Sequence, residues 1–372
     1  MDIGDKIFKK GEELTHKALE AVDKHTDKVQ PGHSTKVASQ DGSTGEVISH
    51  NAWMADIPDE MLVTALSIPG THDSGCIDGP MGFAQTQNLD IPEQLNAGIR
   101  FLDIRLAHYQ DDLLVHHDVV YMGKRYKDVL EICADFLERH SSETILMSVK
   151  DEDRFDEPLG DLAPSEVLTR LSMGEQKSRD NTRSFEEEFE DQSWEQVGTA
   201  PLFYNFSPSS PGVRSAGNAP AFTPETTLGD VRGKIVLLRR FQGDRDIGFD
   251  VTYWLDNATT RSSEDENGNF RVTVPPIYDI EDHYNDPDDK YSLVVTHIEK
   301  SRSGNLHDLY ITFSSAVNLQ ASGYAVTINP RLNDYLAASS EGRVGIVVMD
   351  YFEEPRELVS NVIKMNSISK IG

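Results

Sequence analysis

Seven short apolar runs, each bordered by charged or polar residues, constrain the fold of this chain most strongly. From residue 52 onward they alternate with segments of helical periodicity. Continuous apolar runs in strand–helix–strand order are typical of parallel strands that are buried on both faces of an α/β fold. A length of 372 residues allows two domains, or one (β/α)8 barrel with insertions. The predicted strands span 62–70, 98–106, 113–118, 143–153, 234–241, 308–315 and 344–352.

Helical periodicity predicts helices over 126–142 and 330–343, each leading into the next apolar run. A further amphipathic helix is predicted over residues 3–26, followed by a segment at 30–50 that is rich in Ser, Thr and Gly and typical of a linker. We therefore expect an N-terminal helical extension over 1–50 and a barrel domain over 51–372. Whether the first helix packs on the domain or binds a partner or a surface stays open.

Composition excludes several classes of protein. Lys and Arg number 35 and Asp and Glu 63, so the net charge of −28 argues against binding nucleic acid and against electrostatic adhesion to anionic membranes. The two cysteines, Cys76 and Cys133, are too few for a disulfide scaffold or a four-cysteine zinc site. No run approaches the roughly 18 apolar residues of a membrane-spanning helix. The first 28 residues lack the apolar core of a secretory signal, so we expect a cytoplasmic protein or one exported by a non-classical route.

Polar residues at the strand ends predict a functional site. The carboxyl ends of barrel strands share one face, where barrel active sites lie, so residues at these ends should meet. Two histidines, several carboxylates and two or three cations suit acid–base chemistry on a phosphate ester, with an imidazole moving the proton and a guanidinium neutralising the phosphate. The polar residues at the strand ends, from which such a site would be drawn, are His72, Asp73, Asp103, Arg105, His116, His117, Asp118, Lys150, Arg239, Arg240 and Asp350.

Two other interpretations of the same residues are weaker. Ser74 is not in a G-x-S-x-G elbow, so we expect its hydroxyl to bond backbone rather than to act as a nucleophile. The histidines and carboxylates also resemble a metal site, but Arg105 belongs to the same predicted cluster and would repel a divalent cation.

The chain also resembles phosphatidylinositol-specific phospholipase C, and the small single-domain bacterial type more than the multidomain eukaryotic type. The resemblance covers about residues 52–366 and implies a distorted TIM barrel that cleaves phosphatidylinositol to diacylglycerol and inositol 1,2-cyclic phosphate. The matching stretches are SIPGTHDSG (67–75), EQLNAGIRFLDIR (93–105), LLVHHD (113–118), SSETILMSVKDE (141–152), LGDVRGKIVLLRR (228–240), LYITFSS (309–315), INPRLNDYL (328–336) and RVGIVVMDY (343–351).

The resemblance implies a role for each matching residue. His72 would be the general base, oriented by Asp350, and His117 the general acid, supported by Asp73. Arg105, with Asp103 beside it, would bind a phosphate oxygen. Because a metal replaces this guanidinium in the calcium-dependent relatives, an intact arginine implies metal independence and no cofactor. The residues that would line the inositol pocket are Lys150, Arg240 and Tyr278, with Tyr278 stacked under the ring.

Three features depart from the family pattern, and a fourth, Phe83, agrees with it. Asp118 stands where close bacterial relatives have Gly, and it is expected to change the surroundings of His117. Pro276 stands where an aspartate of the family contacts the inositol. Phe83 matches an aromatic residue of a membrane-facing helix, although a core position is equally open. The loop 317–326 lacks the tryptophan expected at the rim, so we expect only transient contact of a monomer with a membrane surface.

Two alternative functions remain open. One is a metal-dependent glycerophosphodiester phosphodiesterase on a similar barrel, which a chelator would inhibit. The other is a catalytically weak barrel that binds an inositol phosphate, or a partner through the N-terminal helix.

Overall fold

The computed structural model describes residues 49–77, 84–117, 120–152, 181–195, 202–206, 220–243, 247–273, 275–316, 321–339 and 342–366. Within these residues eleven strands form one sheet in the order β7-β6-β5-β2-β1-β11-β10-β9-β8, with β3 and β4 attached to β2 as a hairpin. The strands are β1 Ile68–Thr71, β2 Phe101–Tyr109, β3 Asp112–His117, β4 Val120–Arg125, β5 Ile145–Asp151, β6 Ile235–Arg240, β7 Phe249–Asp250, β8 Thr259–Arg261, β9 Tyr278–Glu281, β10 Leu309–Phe313 and β11 Ile346–Met349.

Parallel pairing confirms the predicted barrel. From β7 to β9 along the sheet order, eight strands of the described part run parallel to their neighbours. The ring is distorted, because no ladder joins β7 to β9 in the described residues; β8 lies antiparallel on β9 there instead. The Phe249 and Tyr278 rings, 6.0 Å apart, pack between these two strands.

Helices cover the outside of the sheet. They are α1 Ile91–Ala97, α2 Tyr126–Arg139, α3 Phe185–Glu195, α4 Leu228–Val231, α5 Pro287–Ser303, α6 Ala321–Ala338 and α7 Leu358–Lys364, with short 3₁₀ turns at Trp53–Asp56 and Val63–Ala65. Of the helices described, none has the length and apolarity that crossing a bilayer requires.

Three predicted elements need correction. The run 62–70 is not one strand, because Val63–Ala65 forms the second 3₁₀ turn and only Ile68–Thr71 at its end is a strand. The run 113–118 contains β3, which returns antiparallel to β2 after a tight turn, because Gln110 and Asp111 both take positive φ. The helix predicted over 330–343 begins at Ala321, and Pro330 lies inside it. Burial of every fourth residue, at Tyr324, Ile328, Leu332 and Leu336, carries the helix across the proline.

Strand alternation divides the apolar residues into two cores. Successive side chains of a strand point to opposite faces, so Phe101 of β2 enters the barrel while Leu102 faces the helices. The inner core includes Leu146, Val236, Ile280, Ile311 and Val348. Because side chains alternate, the inward residues that follow these along each strand point toward the carboxyl mouth of the barrel.

The amino end of the barrel is closed by the first described segment. Trp53 and Met54 are buried there, and the fully buried Arg100 donates hydrogen bonds to the carbonyl oxygens of His50 and Asn51. These residues therefore pack as part of the barrel. The predicted helix over 3–26 lies outside the described residues, and the domain boundary near residue 50 stays a prediction.

Candidate active site

The carboxyl mouth of the barrel brings together the polar residues that follow the apolar runs. The register aligns Arg105 of β2 with Lys150 of β5, and Lys150 with Arg240 of β6. His72 and Asp350 follow β1 and β11, which are themselves paired. The predicted convergence of these residues is therefore present. Arg239 is not part of it, because it alternates outward and pairs with Asp250.

His72 lies between two carboxylates. Its Nδ1 is 2.8 Å from Asp350 Oδ1, and its Nε2 is 3.2 Å from Asp73 Oδ2. Burial by itself lowers the pKa of His72, but Asp73 and Asp350 outweigh burial and raise the pKa to about 9. When Nδ1–H donates to Asp350, Nε2 is the nitrogen left to exchange a proton with a ligand.

His117 approaches the same aspartate from the β3–β4 hairpin. Its Nδ1 lies 2.9 Å from the carbonyl oxygen of Ala84, which accepts a hydrogen bond and leaves Nε2 directed at the mouth. That Nε2 is 3.5 Å from Asp73 Oδ2, and the two imidazole rings are 6.5 Å apart. Asp73 thus stands between the two Nε2 atoms. Asp118, which departs from the family pattern, and Phe83, which matches it, lie outside the described residues.

Arg105 is the central cation of the site. Its guanidinium lies 2.9 Å from Asp73, 3.1 Å from Asp103 and 3.3 Å from Glu152. Burial lowers the pKa of Arg105, but these three carboxylates outweigh burial and raise it well above the ordinary value, so the cation is permanent. His72, Asp73 and Asp103 are close enough to hold a metal ion, but Arg105 already contacts both of those aspartates.

Ser74 has the backbone role predicted for it. Its hydroxyl donates to the carbonyl oxygen of Thr71 at 3.0 Å and accepts from the amide of Asp103 at 2.8 Å. It therefore joins the end of β1 to β2 and fixes Asp103 beside Arg105.

Lys150 and Arg240 share one carboxylate at the rim. Asp256 Oδ2 is 3.6 Å from Lys150 Nζ, and Asp256 Oδ1 is 3.2 Å from Arg240 Nη2. The Arg240 guanidinium lies over the Trp254 ring, 3.6 Å from its centroid. This stack fixes the plane of the Arg240 guanidinium. The contacts with Asp256 hold both cations at the mouth.

The structure places Tyr278 away from the mouth, where the resemblance had implied an inositol-stacking role for it. Tyr278 is the first residue of β9 and pairs with Leu309, so it lies inside the barrel near the amino end, about two side-chain layers below the mouth. Pro276 lies further from the mouth still. The inward residue at the carboxyl end of β9 is Asp282, which accepts a hydrogen bond from Trp254 Nε1 at 3.2 Å.

Tyr284 is the tyrosine at the mouth. Burial, followed by Asp282 and Asp256, raises the pKa of its hydroxyl, whereas Arg105 and Arg240 lower it. Its amide donates to Asn257 Oδ1 at 2.8 Å. The Asp282 carboxyl is buried, and burial raises its pKa despite nearby Lys290 and Arg240.

Sequence reasoning missed four residues of this site: Glu152, Asp256, Asp282 and Tyr284. The first follows Lys150 by two residues, so it continues the polar end of an identified strand. The other three follow two short strands, β7 and β9, that were not predicted. The segment YDIEDHY (278–284) does show a polar end after an apolar alternation, which was the available signal.

The raised pKa of His72 makes the stability of the fold depend on pH. An unfolded histidine titrates near 6.5, so this group contributes its full stability below about pH 6.5 and loses it as pH rises through about 9. We expect the free energy of unfolding to fall by about 3 kcal/mol from this group over that interval. Urea unfolding at several pH values measures the slope, and NMR of the His72 ring measures its midpoint.

The matched variant for this effect is Asp350→Asn. Removing one of the two carboxylates should lower the midpoint of His72 and flatten the loss of stability between pH 6.5 and 9. An unchanged midpoint would contradict the assignment of Asp350 as a major source of the shift.

The barrel and its site match a known class of protein. The family described as "Phosphatidylinositol-specific phospholipase C, X domain" matches residues 71–158, from the end of β1 past β5. This stretch contains His72, Asp73, Asp103, Arg105, His117 and Lys150.

Two bacterial relatives cover most of the chain. The 1-phosphatidylinositol phosphodiesterase of Staphylococcus aureus (strain Newman) is 28% identical over 334 residues, covering 84% of this chain and 93% of the relative. The enzyme of the same name from Listeria monocytogenes is 27% identical and covers 87% of each chain. A crystal structure of phosphatidylinositol-specific phospholipase C from Staphylococcus aureus superposes with a TM-score of 0.65 at 26% identity, over 86% of this chain and 98% of that one. These matches confirm the resemblance to the small bacterial phosphatidylinositol-specific phospholipases C.

Proposed function

We propose that this protein is a phosphatidylinositol-specific phospholipase C, which cleaves phosphatidylinositol to diacylglycerol and inositol 1,2-cyclic phosphate without a metal ion. The observation that supports this most is the placement of two imidazole Nε2 atoms on either side of Asp73, with the Arg105 guanidinium held against the same aspartate. The names and the coverage of the bacterial relatives support the same substrate.

The first chemical step is a transfer within the substrate. Deprotonated His72, the minor form of the free protein at neutral pH because its pKa is about 9, removes the proton of the inositol 2-hydroxyl at Nε2, and the oxygen of that hydroxyl bonds to phosphorus. Asp350 holds the imidazole by its Nδ1–H and stabilises the charge that His72 acquires. His72 Nε2 faces Asp73 Oδ2 in this structure, so the inositol 2-hydroxyl must replace that oxygen as the partner of Nε2 when substrate binds.

Departure of the lipid completes the step. The bond between phosphorus and the glycerol oxygen breaks, and His117 gives the proton at its Nε2 to that oxygen, so diacylglycerol leaves neutral. Arg105 binds a non-bridging phosphate oxygen and neutralises charge as it develops, with Asp103 and Glu152 fixing the guanidinium. Asp73, between the two histidines, supports the protonated His117. Water then opens the cyclic phosphate slowly, with the two histidines exchanging roles.

Lys150, Arg240, Asp256, Asp282 and Tyr284 are proposed to bind the inositol ring. Their cations and carboxylates offer donors and acceptors to the ring hydroxyls, and the aromatic ring of the partly buried Tyr284 offers a surface for the inositol ring itself. Every cation in this group already has a carboxylate nearby, which suits a neutral polyol. Headgroup recognition is therefore assigned to Asp282 and Tyr284 in place of Pro276 and Tyr278.

The protein is further proposed to touch a membrane transiently with the mouth of the barrel. Leu255, next to Asp256, is 38% exposed, and Val326, in the second turn of α6, is 76% exposed. Membrane binding is the subject of a solved structure of the Staphylococcus aureus relative. Co-sedimentation with phosphatidylinositol vesicles checks this contact, and no binding at any lipid concentration would contradict it.

The experiment that tests the function is phosphorus NMR of the products formed from phosphatidylinositol micelles in the presence of EDTA. We expect a cyclic inositol phosphate signal that appears before any acyclic product. Loss of turnover in EDTA, restored by calcium, would instead indicate the metal-dependent phosphodiesterase. No turnover with or without calcium would indicate a binding barrel.

The two tyrosines of the β9 segment give a matched pair of variants. Tyr284→Ala should raise KM for phosphatidylinositol about tenfold, because the inositol ring loses one wall of its pocket, a loss of about 1–2 kcal/mol. Tyr278→Leu, at the first residue of β9, removes the aromatic ring but keeps a buried apolar side chain, and it should leave KM unchanged. Steady-state kinetics on mixed micelles measures both. The reverse pattern would return Tyr278 to the pocket.

A further inference from the structure

One polar layer of the barrel lies directly beneath the cations of the mouth. Asp103 of β2 and Ser148 of β5 are register partners, and both point inward, one layer below Arg105 and Lys150. Arg240 of β6 enters the same space from the upper layer, with its Nη1 4.0 Å from Asp103 Oδ1. Because β5 lies between β2 and β6, the three side chains face a common interior volume.

Each of these side chains carries a buried atom without a hydrogen-bond partner among the described residues: Ser148 Oγ, Asp103 Oδ1 and Arg240 Nη1. Ser148 and Asp103 are completely buried, and Arg240 is 8% exposed. The second carboxylate oxygen of Asp103 and the second terminal nitrogen of Arg240 are engaged. Asp103 Oδ2 accepts from Arg105, and Arg240 Nη2 contacts Asp256. Asp103 and Arg240 are therefore held in place by contacts of their other atoms, although Asp103 Oδ1 and Arg240 Nη1 have no hydrogen-bond partner among the described residues.

The three atoms are chemically complementary to a single hydroxyl-type oxygen. A guanidinium N–H is a donor, a carboxylate oxygen is an acceptor, and a serine hydroxyl is both. A separation of 4.0 Å between Arg240 and Asp103 is too long for a hydrogen bond, but it suits an oxygen that bridges them. Buried water typically makes about three hydrogen bonds to polar groups that would otherwise remain unsatisfied.

We propose that Ser148, Arg240 and Asp103 bind one internal water molecule, and that Ser148 is thereby a positioning residue for the headgroup pocket. The water joins Arg240, in the inositol pocket, to Asp103, which holds the phosphate-binding Arg105. The two halves of the site then share one hydrogen-bond network. The water site stands on the geometry alone, whereas its effect on kinetics rests on the proposed function.

A high-resolution crystal structure of the full chain, with and without inositol, tests the site. We expect one ordered oxygen within hydrogen-bond distance of all three atoms in both crystals. An oxygen that is replaced by an inositol hydroxyl would assign the position to substrate and overturn the water. Direct contact between Arg240 and Asp103, with no oxygen between them, would also overturn it.

Variants of Ser148 test its positioning role. Ser148→Ala should lose the ordered oxygen and raise KM for phosphatidylinositol about fivefold, with kcat within about twofold, because one of three hydrogen bonds is lost. Ser148→Thr keeps the hydroxyl and should restore KM. Ser67→Ala, a buried serine at the amino end of the barrel, is the control and should leave KM unchanged.

These outcomes separate the proposals. An unchanged KM in Ser148→Ala, in an otherwise active enzyme, would overturn the positioning role. If the wild-type protein does not cleave phosphatidylinositol, the proposed function fails, and the crystal structures still decide the water site.

Discussion

Replacing His72 with alanine should lower kcat for phosphatidylinositol cleavage by about 10³–10⁴-fold, the upper part of the range for a general base. The structure gives the reason. His72 is held by Asp350 at 2.8 Å on one nitrogen and presents the other to the mouth, and no second imidazole of the described residues shares that position. We expect KM to change little, because the side chains proposed to bind the ring hydroxyls are unchanged. Initial rates on micelles measure the loss.

The two histidines can be told apart by the leaving group. His117→Ala should be nearly as damaging on the natural lipid, because a glycerol alkoxide leaves poorly without a proton. With an inositol phosphodiester of an acidic phenol, which leaves without protonation, His117→Ala should recover most of its activity and His72→Ala should not. Equal recovery of both variants would overturn the separate base and acid roles.

His116→Ala is the matched control for this pair. His116 precedes His117 in β3, but strand alternation turns its ring away, towards Tyr121, with 5.8 Å between the ring centroids. Its replacement should leave kcat within about twofold of wild type. A loss in His116→Ala equal to that in His117→Ala would mean that the hairpin, rather than one imidazole, is required.

Replacing Arg105 with alanine is expected to lower kcat by at least 10²–10³-fold, the loss associated with one preorganised charge at a transition state. It should also destabilise the fold by about 3–5 kcal/mol, because Asp73, Asp103 and Glu152 would be left buried without their common cation. Arg105→Lys keeps a positive charge but loses the planar fork, so it should recover stability more than kcat.

The control for Arg105 is Arg239→Lys. This arginine is as buried as Arg240, but it faces outward and bonds the carbonyl oxygens of Phe241 and Ile247. Its conservative replacement should leave kcat unchanged.

Urea unfolding and initial rates, both in EDTA, separate the effect of Arg105 on stability from its effect on kcat. A wild-type enzyme that EDTA inactivates would contradict the role of this guanidinium as the permanent cation.

The placement of Tyr278, rather than Asp282, in the expected headgroup pocket has a physical cause. Tyr278, Ile280 and Asp282 share a face of β9, because side chains alternate along a strand. The local sequence shows that these residues point the same way, but it does not show which of them reaches the mouth. Only the pairing of Tyr278 with Leu309, at the start of β10, fixes that Asp282 is the upper residue. If the pairing of β9 were shifted by two residues, the same side chains would still point inward, but a different residue would lie at the mouth.

Tertiary pairing also decided the path of the β2–β4 region. The segment LLVHHD is apolar and then polar, like the ends of the parallel strands, and alternation alone does not reveal its direction. The turn at Gln110 and Asp111 sends it back antiparallel to β2, and the hairpin carries His117 over the barrel to Asp73. Thus His117 reaches the site from a hairpin and not from a parallel strand end.

The sequence by itself determined the class of fold and most of the chemistry. Long apolar strands that end in His72, Arg105, Lys150, Arg240 and Asp350 require a buried parallel sheet, and they require one face where those charged ends can meet. The tertiary structure decided which neighbours complete the site, namely Glu152, Asp256, Asp282 and Tyr284. Period-two alternation fixes the face of a residue locally, whereas its height in the barrel depends on register with a strand that is distant in sequence.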